Sequence, residues 1–449
     1  MKKVSQKNLL TIILLLSLCV FGLVNVCARI ISERYHPTLD LTEEKLYALS
    51  DTTRHIVANT MEETNLYVFS AEADYPAMLR EMLIRFTQLS PLVHVTYVDP
   101  AENPVMLTHY QQMGAQISPL DMLMEGAKRI KAITYQSLIL YDGEQPAGID
   151  LEQQLSSALL YVNSQYTPSV VFTTGHGERH TTALQKLFTD NNFSLETKAI
   201  AVEEIGQPDV MVIAGPAFDW TQESIARLQT YVDGGGKLMV FLEPTSVAMP
   251  LLGAFLEQWG MAVESDIVFE PKAYAAGATH NIIPMYTSSA VNSYFADHPV
   301  YVVMPSASSI RVDGIGAQLV EPLLRTTSDA YAKTDLAYTS SQQSADDTRG
   351  PFIVAALSGE TVFLASSRMI YADDLMGMDS YANRVFLSQV LGALWQESIT
   401  LSIPAKAIMN APLPITGEQA RVIAIALALG LPLIALFVGV MVKLRRRSL

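Results

Sequence analysis

Two uncharged apolar runs, one near each end, constrain this chain more than any other feature. Leu9 to Ala28 reads LLTIILLLSLCVFGLVNVCA, and Val422 to Val442 reads VIAIALALGLPLIALFVGVMV. Each has the roughly 20 residues that an α-helix needs to cross about 30 Å of hydrocarbon. The sequence between them is normally polar, so the chain reads as two transmembrane helices bracketing a large folded region. The first run is longer than a signal-peptide core, and no A-x-A site follows it. Leu23-Val24-Asn25-Val26 before Cys27 also lacks the small residues of a lipoprotein site. We therefore read an uncleaved anchor.

The flanks set the orientation. Lys2, Lys3 and Lys7 precede the first run, and Lys443, Arg445, Arg446 and Arg447 follow the second. Basic residues beside spans stay in the cytoplasm. Both termini are thus expected to be cytoplasmic, with the main domain extracytoplasmic, in a bacterial plasma membrane. Setting aside those seven basic residues leaves 23 against 45 acidic ones, so the middle carries about −22. Such a charge disfavours nucleic acid and anionic lipid surfaces. The two cysteines, Cys19 and Cys27, lie in the first run, so the outer region has no disulfide, no thiolate metal site and no cysteine nucleophile. That pattern suits a bacterial envelope protein.

Periodicity divides the chain further. Residues 1–8 are a cytoplasmic tail, 9–28 a span and 29–60 a juxtamembrane connector, in which Thr42 or Ser50 suits a helix cap. Residues 61–165 read as a small α/β domain of thioredoxin-like size, from strands at 65–69, 93–98 and 137–141 and a helical stripe through Met78, Met82, Phe86 and Leu89. Asp150 with Gln153 suggests a capping box for a helix that buries Leu151, Leu155, Leu159 and Val162. Residues 166–415 alternate strand and helix, which implies a parallel sheet covered on both faces. Their strands are 169–174, 209–214 and 237–242, with Asp219 and Gln222 suggesting another cap. Residues of about 260–345 read as an insertion, and a last helix carries Val385, Phe386, Val390, Leu391 and Leu394. Residues 422–442 are the second span and 443–449 a basic cytoplasmic tail.

Several segments form a familiar series: DLTEEKLYALSDTT at 40–53, DLEQQLSSALLYV at 150–162, FTTGHGE at 172–178, PDVMVIAGP at 208–216, GGGKLMVFLEP at 234–244, His298-Pro299 and Asn383-Arg384-Val385-Phe386. Together they resemble the Gldg family, the auxiliary component of an ABC-type transport system linked in some bacteria to gliding motility. The resemblance implies an outer domain of class I glutamine amidotransferase-like fold. That enzyme fold uses a cysteine nucleophile, which the outer region lacks, so the resemblance implies a degenerate scaffold rather than an enzyme.

The most suggestive local motif is Gly175-His176-Gly177-Glu178. It follows a strand and opens a helix, at the strand ends where open α/β sheets bind ligands. Helix-start amides there suit an anion. As a dinucleotide fingerprint the motif fails, because His180 occupies the third glycine position. Gly175, His176, Gly177 and Glu178 are the candidate binding residues, and no catalytic residue, metal or cofactor is assigned. His176, Glu178 and His180 could contribute to a metal site; the plainer reading is a tight turn with His176 bonded to nearby backbone. Glu243 ends its strand near where the amidotransferase nucleophile would fall. Asp373-Asp374, near Asn383-Arg384, could hold a cation or simply form a solvated loop.

The chain has no P-loop sequence, and no charge inside either span with which to build a transport path. Transport would require a multispan ABC permease and a cytoplasmic ATPase as partners, with lipid contacted through the two spans. Two other readings stand beside this one: a membrane-anchored hydrolase acting through His176 and Glu178, and an envelope scaffold without a transport role.

Overall fold

The computed structural model describes residues 46–142, 145–298, 300–377, 381–395 and 403–408. Both apolar runs, Thr42 and Pro299 lie outside them. Among the described residues no helix is long and apolar enough to cross a membrane.

The smaller unit starts with Ser50, whose side chain accepts from the Thr53 amide at 3.2 Å and caps α1 (Asp51–Ala58). Next, β1 (Thr64–Val68), α2 (Ala77–Thr87) and β2 (Val93–Tyr97) form a βαβ unit with parallel strands. Helix α2 buries Leu79, Met82, Leu83 and Phe86, the i, i+3, i+4, i+7 stripe of a one-sided helix. After α3 (Pro104–Gln112), the hairpin of β3 (Met122–Glu125) and β4 (Ile130–Ile133) adds antiparallel to β1, giving the order β2-β1-β3-β4. The strand expected at 137–141 begins later, because Tyr135–Leu138 is a 3-10 turn capped by Thr134. It becomes β5 (Ile139–Asp142), which pairs with β6 (Gln145–Ile149); the short strand Lys406–Ala407 joins β6 from the far end of the chain.

Helix α4 (Leu151–Asn163) buries its expected apolar stripe, but the predicted capping box does not form. Asp150 makes no cap bond and instead accepts from Gln154 Nε2 at 2.9 Å. Gln153 accepts from the Ile403 amide at 2.9 Å. The reason is burial on both sides: Glu152, Gln153, Gln154, Ser156 and Ser157 are all covered. Polar groups removed from water must find partners, and here distant segments supply them.

The larger unit is built on β7 (Ser169–Thr174), α5 (Thr182–Asp190), β8 (Ser194–Ala199), β9 (Val210–Ala214), α6 (Gln222–Asp233), β10 (Lys237–Phe241) and α7 (Pro250–Gln258). It continues with β11 (Met261–Val263), β12 (Ile310–Val312), β13 (Val320–Arg325), β14 (Ile353–Ser358), β15 (Val362–Ala365) and α8 (Asn383–Trp395). The main path of the sheet runs β11-β12-β14-β15-β10-β9-β7-β8, with β13 also on β14. Strands β8, β7, β9, β10 and β15 are mutually parallel, and β14 turns antiparallel to β15. Residues 260–345 thus lend β11, β12 and β13 to this sheet. Side chains alternate between two cores. Phe172, Val212, Met239 and Phe241 face α5 and α8, whereas Met211, Ile213, Leu238 and Val240 face α6 and α7. This double burial is why the central strands are continuous apolar runs.

The cap expected from Asp219 serves a different helix. Thr221 caps α6 by accepting from the Ser224 amide at 3.1 Å. Asp219 accepts from the Leu251 and Leu252 amides at 3.0 and 3.1 Å, because α7 starts at Pro250 without a capping side chain of its own.

The buried polar face of α4 joins the two units and both ends of the described chain. Glu152 accepts from the Ser50 amide at 2.6 Å and lies 3.2 Å from Lys406 Nζ, which also donates to the Ala48 carbonyl. At the next turn, Asp190 of α5 pairs with Lys186 at 2.7 Å and with Arg384 of α8. Lys186 is also 3.5 Å from Asp150, whose pKa is raised by burial against the opposing pull of Arg384 and Lys186. Lys131 donates to Ser157 at 3.0 Å and Asn192 at 2.5 Å, and burial pushes its pKa down to about 8.

Candidate functional site

Helix α5 carries the chain outward from β7 to β8, whereas α6 carries it the opposite way from β9 to β10. The carboxyl ends of β7 and β9 are therefore the switch point of the sheet, where a ligand crevice normally opens. Gly175, His176, Gly177 and Glu178 follow β7 at this point, and Gly215 to Trp220 follow β9.

The two loops close on each other. The His176 carbonyl accepts from the Ala217 and Phe218 amides at 2.8 and 3.1 Å. The His176 ring stacks on Trp220, with centroids 4.6 Å apart and planes 15° from parallel. Glu178 accepts from the His176 amide at 2.7 Å, and its other oxygen is 3.3 Å from His176 Nδ1. Its side chain is wholly buried. Gly177 has φ +78°, and a Cβ there would stand 2.8 Å from that of Ala217, so both the turn and the close approach call for glycine. His176, Gly177 and Glu178 thus meet the β9 loop in one clasp, with Gly175 immediately before them. His180 packs on Phe172 at 5.4 Å, and its buried Nδ1 has no hydrogen-bond partner among the described residues. No group of three or more potential ligands among the described residues is arranged to hold a metal ion.

One strand further on, Glu243 follows β10 and receives two guanidiniums. Arg179 donates to Oε1, and Arg368 Nε donates to Oε2 at 2.8 Å. Arg368 passes directly over Gly215, where a side chain would collide with it. Arg179 is fixed by its own backbone: its amide donates to Ala214 at 2.6 Å and its carbonyl accepts from Tyr371 Oη at 2.7 Å. Burial raises the Tyr371 pKa, so the phenol stays a donor. Asp373 accepts from the Ala183 amide at 2.8 Å and so serves the start of α5. A cavity of about 280 Å³ opens beside Glu243, floored by Leu242, Leu252, Leu256 and Val263. The sequence pointed to Glu243 by its strand end. Arg368 and Trp220 carried no local signal, because they reach the site from the 3-10 turn after β15 and from the β9 loop.

Fold and site together define a mixed α/β protein with a parallel sheet covered on both faces and with the loops after β7 and β9 clasped together at its switch point. Residues 167–363 match the model of a family described as "ABC-type uncharacterized transport system", so the chain resembles an auxiliary component of an ABC-type transport system. Residues 43–141 match a domain of unknown function (DUF7088). No curated protein matches the chain. Among solved structures, the mmIFT52 N-terminal domain is 19% identical with a TM-score of 0.40, over 52% of this chain and 100% of that one. A glutamine amidotransferase from Thermotoga maritima is 11% identical with a TM-score of 0.30, over 52% and 100%. The α-L-fucosidase isoenzyme 2 from Paenibacillus thiaminolyticus is 11% identical with a TM-score of 0.32, over 55% and 36%. Likeness at this level is too distant to transfer an activity.

Proposed function

We infer that this chain is a non-enzymatic, membrane-anchored auxiliary subunit of an ABC-type transport complex. The observation that carries the reading is the family match over residues 167–363. In this reading Leu9–Ala28 and Val422–Val442 are the anchors, both termini are cytoplasmic, and residues between the anchors form an extracytoplasmic partner- or substrate-binding region. Its immediate partners are a multispan permease and a cytoplasmic ATPase, since the chain has no nucleotide loop of its own. The sheet order β2-β1-β3-β4, with parallel β1 and β2, supports the thioredoxin-like label for the small unit. The residue series shared with the Gldg family supports an amidotransferase-like label for the large one.

A role without turnover is supported by the clasp: His176 and Glu178 bind each other and a neighbouring loop, which favours a folding role over hydrolysis. The meeting of the Ser50 and Lys406 arms on Glu152 also supports two anchors acting together, because the described chain ends leave from one place.

The test is purification of the full chain in mild detergent from its own host. Permease and ATPase subunits should co-purify, and replacing residues 422–442 with an unrelated apolar helix should weaken that association while the outer region stays folded. Purification of the chain alone under every mild condition, with the transporter assembled and active without it, would overturn the reading.

A further inference from the structure

We propose that the groove between the loop after β8 and helix α6 is a docking site for a basic segment of another protein, one that carries an apolar residue beside its lysines or arginines. The proposal goes beyond the transport reading.

Charge selects the ligand. The groove has a volume of about 690 Å³, within the roughly 300–1,000 Å³ of ligand sites. Glu203, Glu204 and Glu223 line it together with Arg227, the one basic residue among the described residues that do so. The Arg227 guanidinium is already engaged. It donates to the Ile200 and Glu203 carbonyls at 3.2 and 3.0 Å and to the Glu223 carboxylate at 2.8 Å. Three carboxylates thus face one guanidinium that has no N–H pair to spare for an anion, and the groove attracts cations. Glu204 is exposed and makes no ion pair among the described residues.

The rest of the lining selects a peptide among cations. Val202 keeps 79% of its surface in solvent, beside a half-buried Ile205. The stem of a lysine or arginine covers such carbons while its head stays with the carboxylates. An apolar neighbour in the same segment removes more of this surface from water. Gln207 and Thr230 also line the groove, and between them they offer the donor and acceptor that a peptide backbone uses. A polyamine has no carbonyl for the Gln207 amide.

The groove is built before a ligand arrives. The Val202 and Glu203 amides donate to the Ala199 carbonyl at 3.1 and 2.9 Å, and Glu203 Oε1 accepts from the Ala199 amide at 2.9 Å. These bonds curl the loop, and Arg227 pins it to α6, so little freedom is lost on binding. In the proposed topology the chain's own basic tails lie across the membrane. A second copy offers 23 basic residues against 45 acidic ones between its apolar runs, which disfavours self-association here. The exclusion of the tails rests on that topology, which thiol labelling at Ser344 tests separately, whereas titration reads the groove itself.

The experiment is calorimetric titration of the full chain in phosphatidylcholine nanodiscs, with empty discs as the blank. The probes are acetyl-lysyl-leucyl-leucyl-lysine amide, its glutamyl counterpart and spermidine. The basic peptide should bind, the acidic one should not, and spermidine should bind more weakly than the basic peptide. Glu204→Gln should weaken the basic peptide about fivefold, the worth of one charge contact near 4 Å in water. Val202→Ser should weaken it by about the same factor through lost apolar contact. Both side chains are exposed, so the fold should survive each change. No binding of the basic peptide, equal binding of the acidic one, or unchanged affinity in either variant would each overturn the proposal. Spermidine bound as tightly as the basic peptide would overturn the protein assignment in favour of a polyamine.

Discussion

Replacing Glu152 with Gln tests whether one buried carboxylate ties together the two arms of the chain. The amide keeps an acceptor for Ser50 but removes the charge opposite Lys406, 3.2 Å away. The side chains of Glu152 and Lys406 are 3% and 14% exposed, so the pair lies close to the buried limit. Removing one partner of a buried pair costs roughly 3–5 kcal/mol, and an exposed pair contributes about 0–1 kcal/mol. Lys406 retains the Ala48 carbonyl, which places the expected loss at about 2–3 kcal/mol. At about 1.36 kcal/mol per tenfold, this is a change of roughly 30- to 160-fold in the opening equilibrium. Hydrogen exchange read by mass spectrometry should show residues 46–50 and 403–408 exchanging faster by that factor, with β9 and β10 unaffected. Adding Lys406→Met should recover most of the loss, because no unpaired charge remains buried. Native exchange of both arms in Glu152→Gln, or no recovery in the double variant, would refute the argument that this ion pair joins them.

The other predictions concern the clasp, the buried lysine and the topology. Gly177→Ala should cost roughly 1–3 kcal/mol, from its positive φ and the Ala217 contact, read as a lowered Tm. His176→Ala should cost about 2–4 kcal/mol through the lost Trp220 stack and the Glu178 oxygen left short of a partner; a hydrolytic rate abolished by it in a folded chain would contradict the non-enzymatic reading. Lys131 has a folded pKa of about 8, below its ordinary 10.5, so the unfolded chain binds more protons between those values. Its penalty is complete below pH 8 and fades as pH rises to 10.5, so stability should climb by up to about 3 kcal/mol across that window. The climb should be missing in Lys131→Met when urea unfolding curves are compared. Ser344 is exposed, and a cysteine there should react with a membrane-impermeant thiol reagent in intact cells, with the outer membrane permeabilised where one exists. Labelling only after inner-membrane lysis would reverse the proposed orientation.

Local patterns were the legible part. Runs such as Val210–Ala214 and Lys237–Phe241 can hardly be anything but doubly covered parallel strands. The stripe on α2 and the cap at Ser50 depend on residues within a turn or two of one another. The motif at 175–178 does lie at the strand ends, but it does not open a helix: α5 starts at Thr182, capped by Thr181. Where the sequence misled, the cause was a polar group choosing a distant partner over a near one. Asp219 had a helix start two residues away and capped another more than thirty residues on. Gln153 fitted a capping box and bonded instead to Ile403.

The sequence by itself determined the strands β1, β2, β7, β9 and β10, the two apolar runs and the lack of a thiol between them, because each follows from composition or short-range periodicity. The tertiary structure alone decided that the loops after β7 and β9 clasp each other, that Arg368 from the turn after β15 and Arg179 from the β7 loop share Glu243, and that α4 gathers both arms of the chain on one carboxylate. The physical reason is the same in each case. A buried polar side chain must be satisfied by whatever the fold brings within 3 Å, and separation along the chain carries no record of which group that will be.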